Sequence, residues 1–259
     1  MEDLDYLRWY TGDVRNRNEA GYLVSNIGNL GDKRSETIYK IVNMFLYPEM
    51  KNEYERTKID DNYLAEISNI NDVLRIYDSL IKLSKYVENY NEKLYRIDRN
   101  STVLLVDKIG YNPSNFSSSK MNSNNTFLAK SNPRLLELNI KSAFIVDVGE
   151  LLKNEYIKCV EREVIILPFH NFYQEEKGLY CIQFNEKIIN EFSNLEIKDI
   201  KECICKKENV ENVNYIIKKL NNREELNDDK IKKYIDWKNN IRRYVGIKLY
   251  EKYEQRNQK

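Results

Sequence analysis

The stretch with the most chemical content is Glu161-Arg162-Glu163-Val164-Ile165-Ile166-Leu167-Pro168. Two carboxylates stand two residues apart where an apolar, β-branched run begins. On a strand, positions i and i+2 project from the same face, so Glu161 and Glu163 are expected side by side at a strand end. Like charges held that close repel and resist ionising together, which a fold tolerates at its surface or where the pair has work to do. Such a pair suits a positively charged transition state or a cationic acceptor. The plain alternative is two solvated glutamates, since a chain with 41 acidic residues supplies Glu-x-Glu by chance.

Two upstream segments give the pair its company. Leu94-Tyr95-Arg96 sets a guanidinium beside an aromatic ring at a strand, and Phe116-Ser117-Ser118-Ser119 offers a run of hydroxyls. In the order aromatic-Arg, Phe-led serines, E-x-E-V-aliphatic-P, these segments resemble the R-S-E (cholera-toxin-like, arginine-specific) class of mono-ADP-ribosyltransferases. The short gap between Arg96 and the serines looks more like the vertebrate-type members than the clostridial ones. Tyr10-Thr11-Gly12-Asp13 is similar to the Y-T-G segment that many members carry near the start of the catalytic domain.

The resemblance implies NAD as substrate, no metal, and transfer of ADP-ribose to a macromolecular acceptor. Breaking the nicotinamide–ribose bond releases a neutral leaving group from a cationic one and leaves an oxocarbenium-like centre. Glu163, directly before the aliphatic-Pro run, is then the carboxylate that stabilises that centre, and Glu161 the one that contacts the acceptor. A Glu rather than a Gln two residues ahead of the catalytic Glu is typical of members that modify arginine, whose planar guanidinium matches a carboxylate bidentately. Arg96 would hold the pyrophosphate or adjoining ribose, with Arg99 as its rival. Ser118 aligns with the first serine of the class and would orient the catalytic Glu. Ser117 and Phe127 would help line the NAD site, and Tyr156 would touch the target. The chain departs from the pattern at Lys120, which stands where the last serine is usual.

Other chemistries find less in the chain. The four cysteines make no C-x-x-C pair, and His170 is the only histidine, so a tetrahedral zinc site is poorly supported. A Ser-His-Asp or Cys-His machine would have to use His170. Few cysteines without obvious pairing suit a reducing compartment. Net charge is +1, which offers no global attraction to nucleic acid. The acidic start Met1-Glu2-Asp3-Leu4-Asp5 is unlike a secretory leader, and no apolar run reaches membrane-spanning length. The expected location is the cytoplasm, or a host cytosol after delivery.

At 259 residues the chain can bury a sizeable core. The elements that must position the motifs are helices first and strands second. Ile38, Ile41, Val42, Phe45 and Leu46 recur at helical spacing after a possible cap at Ser35, and Pro48 ends that run. Val73, Leu74, Tyr77, Leu80, Ile81 and Val87 predict a helix over 72–89, with Asn69 or Asn71 as its cap. Strands are predicted at 94–97, 102–106, 116–120, 135–140, 143–148, 163–167 and 179–184, the fourth and fifth joined by a tight turn. Residues 195–205 read as a last strand, with Cys203 and Cys205 on one face.

This pattern predicts an α+β fold: N-terminal helices, a mostly antiparallel two-sheet core, and a helical C-terminal tail. The division is a catalytic domain over 1–206 and a helical extension over 207–259. In the tail Ile231, Tyr234, Ile235, Trp237 and Ile241 form an apolar stripe that suits a docked cap. Lys232, Lys233, Arg242 and Arg243 leave open a partner-binding or nucleic-acid-binding helix. The principal alternative to the enzyme is a catalytically silent interaction protein on the same fold.

Overall fold

The strands described between residues 85 and 184 belong to one connected sheet. The computed structural model describes residues 2–11, 42–43, 45–46, 70–98, 111–112, 116–120, 134–152, 162–221, 224 and 227–258. Contacts group the chain into two units, residues 80–190 and residues 1–79 with 191–259.

The first of these units is the sheet. Its strands are β1 (Lys85–Glu88), β2 (Leu94–Asp98), β3 (Phe116–Ser119), β4 (Arg134–Asp147), β5 (Glu163–Ile166), β6 (His170–Glu176) and β7 (Leu179–Phe184). The order is β2-β3-β5-β4-β7-β6, with β1 and β2 also paired to β4. Pairing is antiparallel throughout except between β4 and β7, which run parallel. The α+β class and the mostly antiparallel pairing are as expected, and the sheet is mixed.

The 14 residues of β4 replace the two short strands and tight turn expected there. Its register against β7 shifts between Ile140 and Ser142, and such an irregularity bends a strand without ending it. The early half of β4 pairs with β2 and the late half with β5, while β3 joins β2 to β5. These four strands close a circuit, so the described strands form one connected sheet where two were expected. Leu94, Leu136, Leu138, Ile140, Ile145, Val164 and Ile166 fill one buried cluster with Phe172, Tyr180 and Ile182. The rings of Phe172 and Tyr180 stack at 4.8 Å.

Strand β6 occupies residues read from sequence only as a connection. Its hairpin with β7 turns at Lys177-Gly178, where Gly178 takes φ +88°, a conformation glycine adopts without a Cβ penalty.

The second unit is helical. It contains α1 (Asp3–Thr11), the first ten residues of α2 (Ile70–Leu83), α5 (Ile197–Cys205), α6 (Lys207–Asn221) and α7 (Asp228–Asn257), where α3 (Val148–Leu151) and α4 (Glu186–Asn190) belong to the sheet unit. Helix α2 ends at Leu83, earlier than expected. The Ser84 hydroxyl turns back to the Ile81 carbonyl at 2.7 Å, and the next four residues pair with β4 as β1. The expected strand over 195–205 is instead α5. Ile197, Ile200 and Ile204 recur at i, i+3 and i+7, so a helix puts them on one face and a strand would not.

The tail is docked within its own unit. Tyr234, Trp237, Ile241, Tyr244, Val245 and Leu249 of α7 are buried. Trp237 donates its indole N–H to the Ile204 carbonyl at 3.1 Å and meets Phe45 edge-on at 5.1 Å. Val42, Phe45 and Leu46 are fully buried, as their helical spacing implied. The remainder of that predicted helix, with Ser35 and Pro48, the cap at Asn69, and the strand over 102–106, lie outside the described residues. Among the described residues no helix is long and apolar enough to cross a membrane.

Candidate active site

The three motifs, scattered over residues 94–168, sit on three consecutively paired strands. Arg96 is on β2, the serines are on β3, and Glu163 opens β5. Tyr95 is the register partner of Ser119, and Ser119 that of Glu163. Ser118 is paired with Val164.

Strand parity then sets the faces. Arg96 is paired with Leu136, and it shares a face with Leu94 two residues earlier; both leucines are fully buried. The half-buried Arg96 therefore rises from the apolar side of β2. Ser118 is buried on β3, and its hydroxyl donates to the main-chain carbonyl of Val164 at 3.0 Å. Glu163 precedes Val164, a core residue, so its side chain leaves by the opposite face and is half-buried there. The structure brings the three strands together, and it puts Arg96 and Ser118 on one face and Glu163 on the other.

The backbone around Glu163 is held unusually. Arg162 has φ +43°, a left-handed conformation that costs a non-glycine residue roughly 1–2 kcal/mol. A Cβ at Gly149 would lie 3.2 Å from the Arg162 Cα, so α3 presses directly on this residue. The Lys120 N–H donates to the Arg162 carbonyl at 3.3 Å. The two residues flanking Glu163 are thus both bonded from the end of β3.

Lys120, the departure from the expected serine, is the centre of a small charged cluster. Its Nζ lies 2.7 Å from Asp147 Oδ2 and 3.1 Å from Glu92 Oε1. The Tyr90 ring centroid is 5.9 Å away. Burial alone would pull the Lys120 pKa down, but hydrogen bonds to Asp147, Tyr90 and Glu92 outweigh it and push it up, so the ammonium stays charged. Asp147 has a second duty: its Oδ1 accepts from the Glu150 N–H at 3.0 Å and caps α3. Sequence reading marked Lys120 only as an exception. Its partners were not legible, because nothing local ties residue 120 to 92 or 147.

Ser117 stands on β3 paired with Ile165. Glu161, Phe127, Tyr156 and Arg99 lie outside the described residues. His170 is fully buried, with Nδ1 3.0 Å from the Leu167 carbonyl, and burial lowers its pKa to about 4. It is neutral at neutral pH. Cys181, Cys203 and Cys205 are free thiols. Among the described residues no group of three or more His, Cys, Asp and Glu side chains could hold a metal ion.

No protein-family model matches the chain, and no curated protein matches it. Among solved structures it is similar to the ADP-ribosyltransferase HopU1 of Pseudomonas syringae pv. Tomato DC3000, at 16% identity and a TM-score of 0.29. That alignment covers 56% of this chain and 63% of the other, less than two thirds of its length. It is also similar to the ADP-ribosyltransferase Vis, solved in complex with M6 inhibitor, at 16% identity and a TM-score of 0.25. There the alignment covers 70% of this chain and 83% of the other.

Proposed function

We propose that the chain transfers ADP-ribose from NAD to a macromolecular acceptor, with protein arginine as the favoured target, and that residues 80–190 carry the chemistry. The observation that supports this reading most is the adjacency of β2, β3 and β5, each bearing one motif of the R-S-E pattern in the order the pattern requires.

In this reading the C1′–N bond of NAD breaks and nicotinamide leaves with the electron pair. Positive charge grows at C1′, and the Glu163 carboxylate stabilises it. A guanidine nitrogen of the acceptor forms the new C–N bond and sheds a proton. Glu161 receives that guanidinium, and Tyr156 meets the target surface. The resemblance assigns the pyrophosphate or ribose to Arg96 with its planar fork, although that side chain starts from the face opposite Glu163, keeps Arg99 as the alternative anchor, and lines the NAD site with Ser117 and Phe127. Ser118 acts through the main chain: its hydroxyl bonds the carbonyl of the residue after Glu163 and fixes the strand from which that carboxylate projects. Water as acceptor would turn the same site into an NAD hydrolase.

Arg96 and Ser118 share a face that Glu163 does not, which suits an interaction protein that keeps the strand frame without turnover. Incubation with adenylate-labelled NAD and a cell lysate separates the two. Label on protein that disappears with Glu163→Gln supports transfer, and free ADP-ribose alone supports hydrolysis. No NAD consumption by the folded chain supports the interaction protein. Label on RNA or DNA would change the acceptor class; the exposed Lys232, Lys233 and Arg243 of α7 are where such a partner would bind.

A further inference from the structure

Lys120 breaks the serine motif, yet it is the residue through which several strand ends meet beside Glu163. Its N–H bonds the Arg162 carbonyl on β5's approach. Its ammonium bonds Asp147 at the end of β4 and Glu92 just ahead of β2. Asp147 in turn caps α3, and Gly149 of α3 lies against the backbone of Arg162. One arm reaches Arg162 directly and the other reaches it through Asp147 and α3. The side chain is only 15% exposed and Asp147 16%, so this pair is shielded from the solvent that makes surface ion pairs worth little. Arg162 holds a left-handed conformation that its own side chain does not favour, so the surrounding contacts must impose it.

We propose that Lys120 is a positioning residue for Glu163, substituting for the hydroxyl usual at this place by clamping Arg162 from two sides. The proposal rests on the ADP-ribosyl transfer reading and assigns Lys120 no contact with NAD. A displacement of the carboxylate by about 1 Å costs on the order of 100-fold in rate while leaving ground-state binding largely intact.

The test measures kcat and KM for NAD, with thermal melting, for the full chain and for Lys120→Met, Lys120→Arg and Asp147→Asn. Asp147→Asn keeps an oxygen to cap α3 and removes the ion pair, so it serves if Lys120→Met fails to fold. Lys93→Met, which breaks the exposed pair with Glu137 (3.2 Å), is the control. The expected result is a kcat lowered about 10- to 100-fold in Lys120→Met and Asp147→Asn, with KM within about 3-fold of the parent. Lys120→Arg recovers most of the rate, and Lys93→Met is unchanged. A parent-like kcat in folded Lys120→Met overturns the inference and leaves the transfer reading standing. So does a loss confined to KM, which would mean contact with substrate. Absence of NAD turnover by the unmodified chain overturns the transfer reading, and this inference with it.

Discussion

Ser118 gives its hydroxyl to the carbonyl of Val164, 3.0 Å away on the neighbouring strand. That bond uses the serine's one proton, so the hydroxyl donates to the main chain and not to a carboxylate. Glu163 is the preceding residue, and its own register partner is Ser119. The serine therefore influences Glu163 by fixing the direction of β5.

Ser118→Ala is expected to weaken the fold and the site together. A buried hydrogen bond is worth about 0.5–1.5 kcal/mol net, and the loss here is that of the added hydroxyl bond on a carbonyl within the β3–β5 ladder. Urea unfolding should show a loss of about 1 kcal/mol, with NAD turnover falling about 10-fold through misplacement of Glu163. A fold of unchanged stability with turnover lost completely would mean that the hydroxyl acts on the reacting groups instead.

Glu163→Gln keeps shape and removes charge. If the carboxylate stabilises the oxocarbenium-like centre, turnover falls at least about 100-fold while the melting temperature is held. Arg96→Lys tests the other end of the substrate. A lysine keeps the charge and loses the planar fork, so KM for NAD should rise about 10-fold with a smaller change in kcat. If only kcat falls, Arg96 does not grip the dinucleotide in the ground state.

How much of this was readable in the chain depends on which interactions set each feature. The buried positions of Val42, Phe45, Leu46, Val73, Leu74 and Tyr77 follow from helical spacing alone. The strands that carry Arg96 and Glu163 follow from aromatic and β-branched residues, and the one that carries Ser118 from the Asn-Pro-Ser-Asn turn signal that precedes Phe116 in the sequence. Residues 85–88 did not, because Val87 also fits the helical stripe of α2, and only pairing with β4 makes that segment a strand. Residues 134–147 look like two strands because Asn139, Lys141 and Ser142 suggest a turn, whereas β7 pairs through the irregularity. The face that Glu163 shares was beyond sequence for the same reason. Parity depends on the register between β3 and β5, and a slip of one residue would reverse it.

The single histidine makes one electrostatic claim directly measurable. His170 is buried, and its pKa is lowered to about 4 from a usual value near 6.5. Above pH 6.5 the ring is neutral in both folded and unfolded chains, and it contributes its full share to stability. As pH falls from 6.5 toward 4, only the unfolded chain takes up the proton, so that share is lost, by about 3 kcal/mol in all. The imidazole C–H resonance, unambiguous in a chain with one histidine, should not titrate between pH 8 and 5.5. His170→Leu should flatten the corresponding slope of stability with pH. A midpoint near 6.5 would refute the burial argument.

In the helical unit, the Tyr244 hydroxyl lies 2.9 Å from both carboxylate oxygens of Asp78. Desolvation raises the Asp78 pKa, and the Tyr244 hydrogen bond opposes it. Tyr244→Phe removes the donor while keeping the ring, leaving the carboxylate desolvated without its main compensation. The expected cost is about 1–3 kcal/mol at neutral pH. A raised carboxyl pKa contributes stability at low pH that is lost as pH rises through the folded value. The variant should therefore differ most from the parent at neutral pH and least in acid, once Asp78 is protonated. Asp78→Asn with Tyr244→Phe should lose less than the two single changes summed, since the pair interacts directly. Simple additivity would show that the two side chains are not coupled.

Gly149→Ala probes the contact that carries α3 onto the site. The new Cβ would stand 3.2 Å from the Cα of Arg162 and 3.6 Å from its carbonyl carbon, and a backbone cannot swing aside as a side chain tip can. Two outcomes compete: either Arg162 shifts by a few tenths of an ångström, or α3 loosens from β5. Arg162 already holds φ +43° and is bonded through its carbonyl to Lys120, so it has little room to yield. Overpacking of this kind costs about 1–3 kcal/mol. Both routes move the residue that launches Glu163, so NAD turnover should fall by at least about 10-fold, out of proportion to the stability lost. Gly246→Ala supplies the comparison, because its Cβ would stand 2.7 Å from Phe192 Cγ in the helical unit. That change should lower the melting temperature as much or more, yet leave the kcat of the folded fraction near that of the parent. If the two variants lose rate alike, the contact at Gly149 matters only as packing.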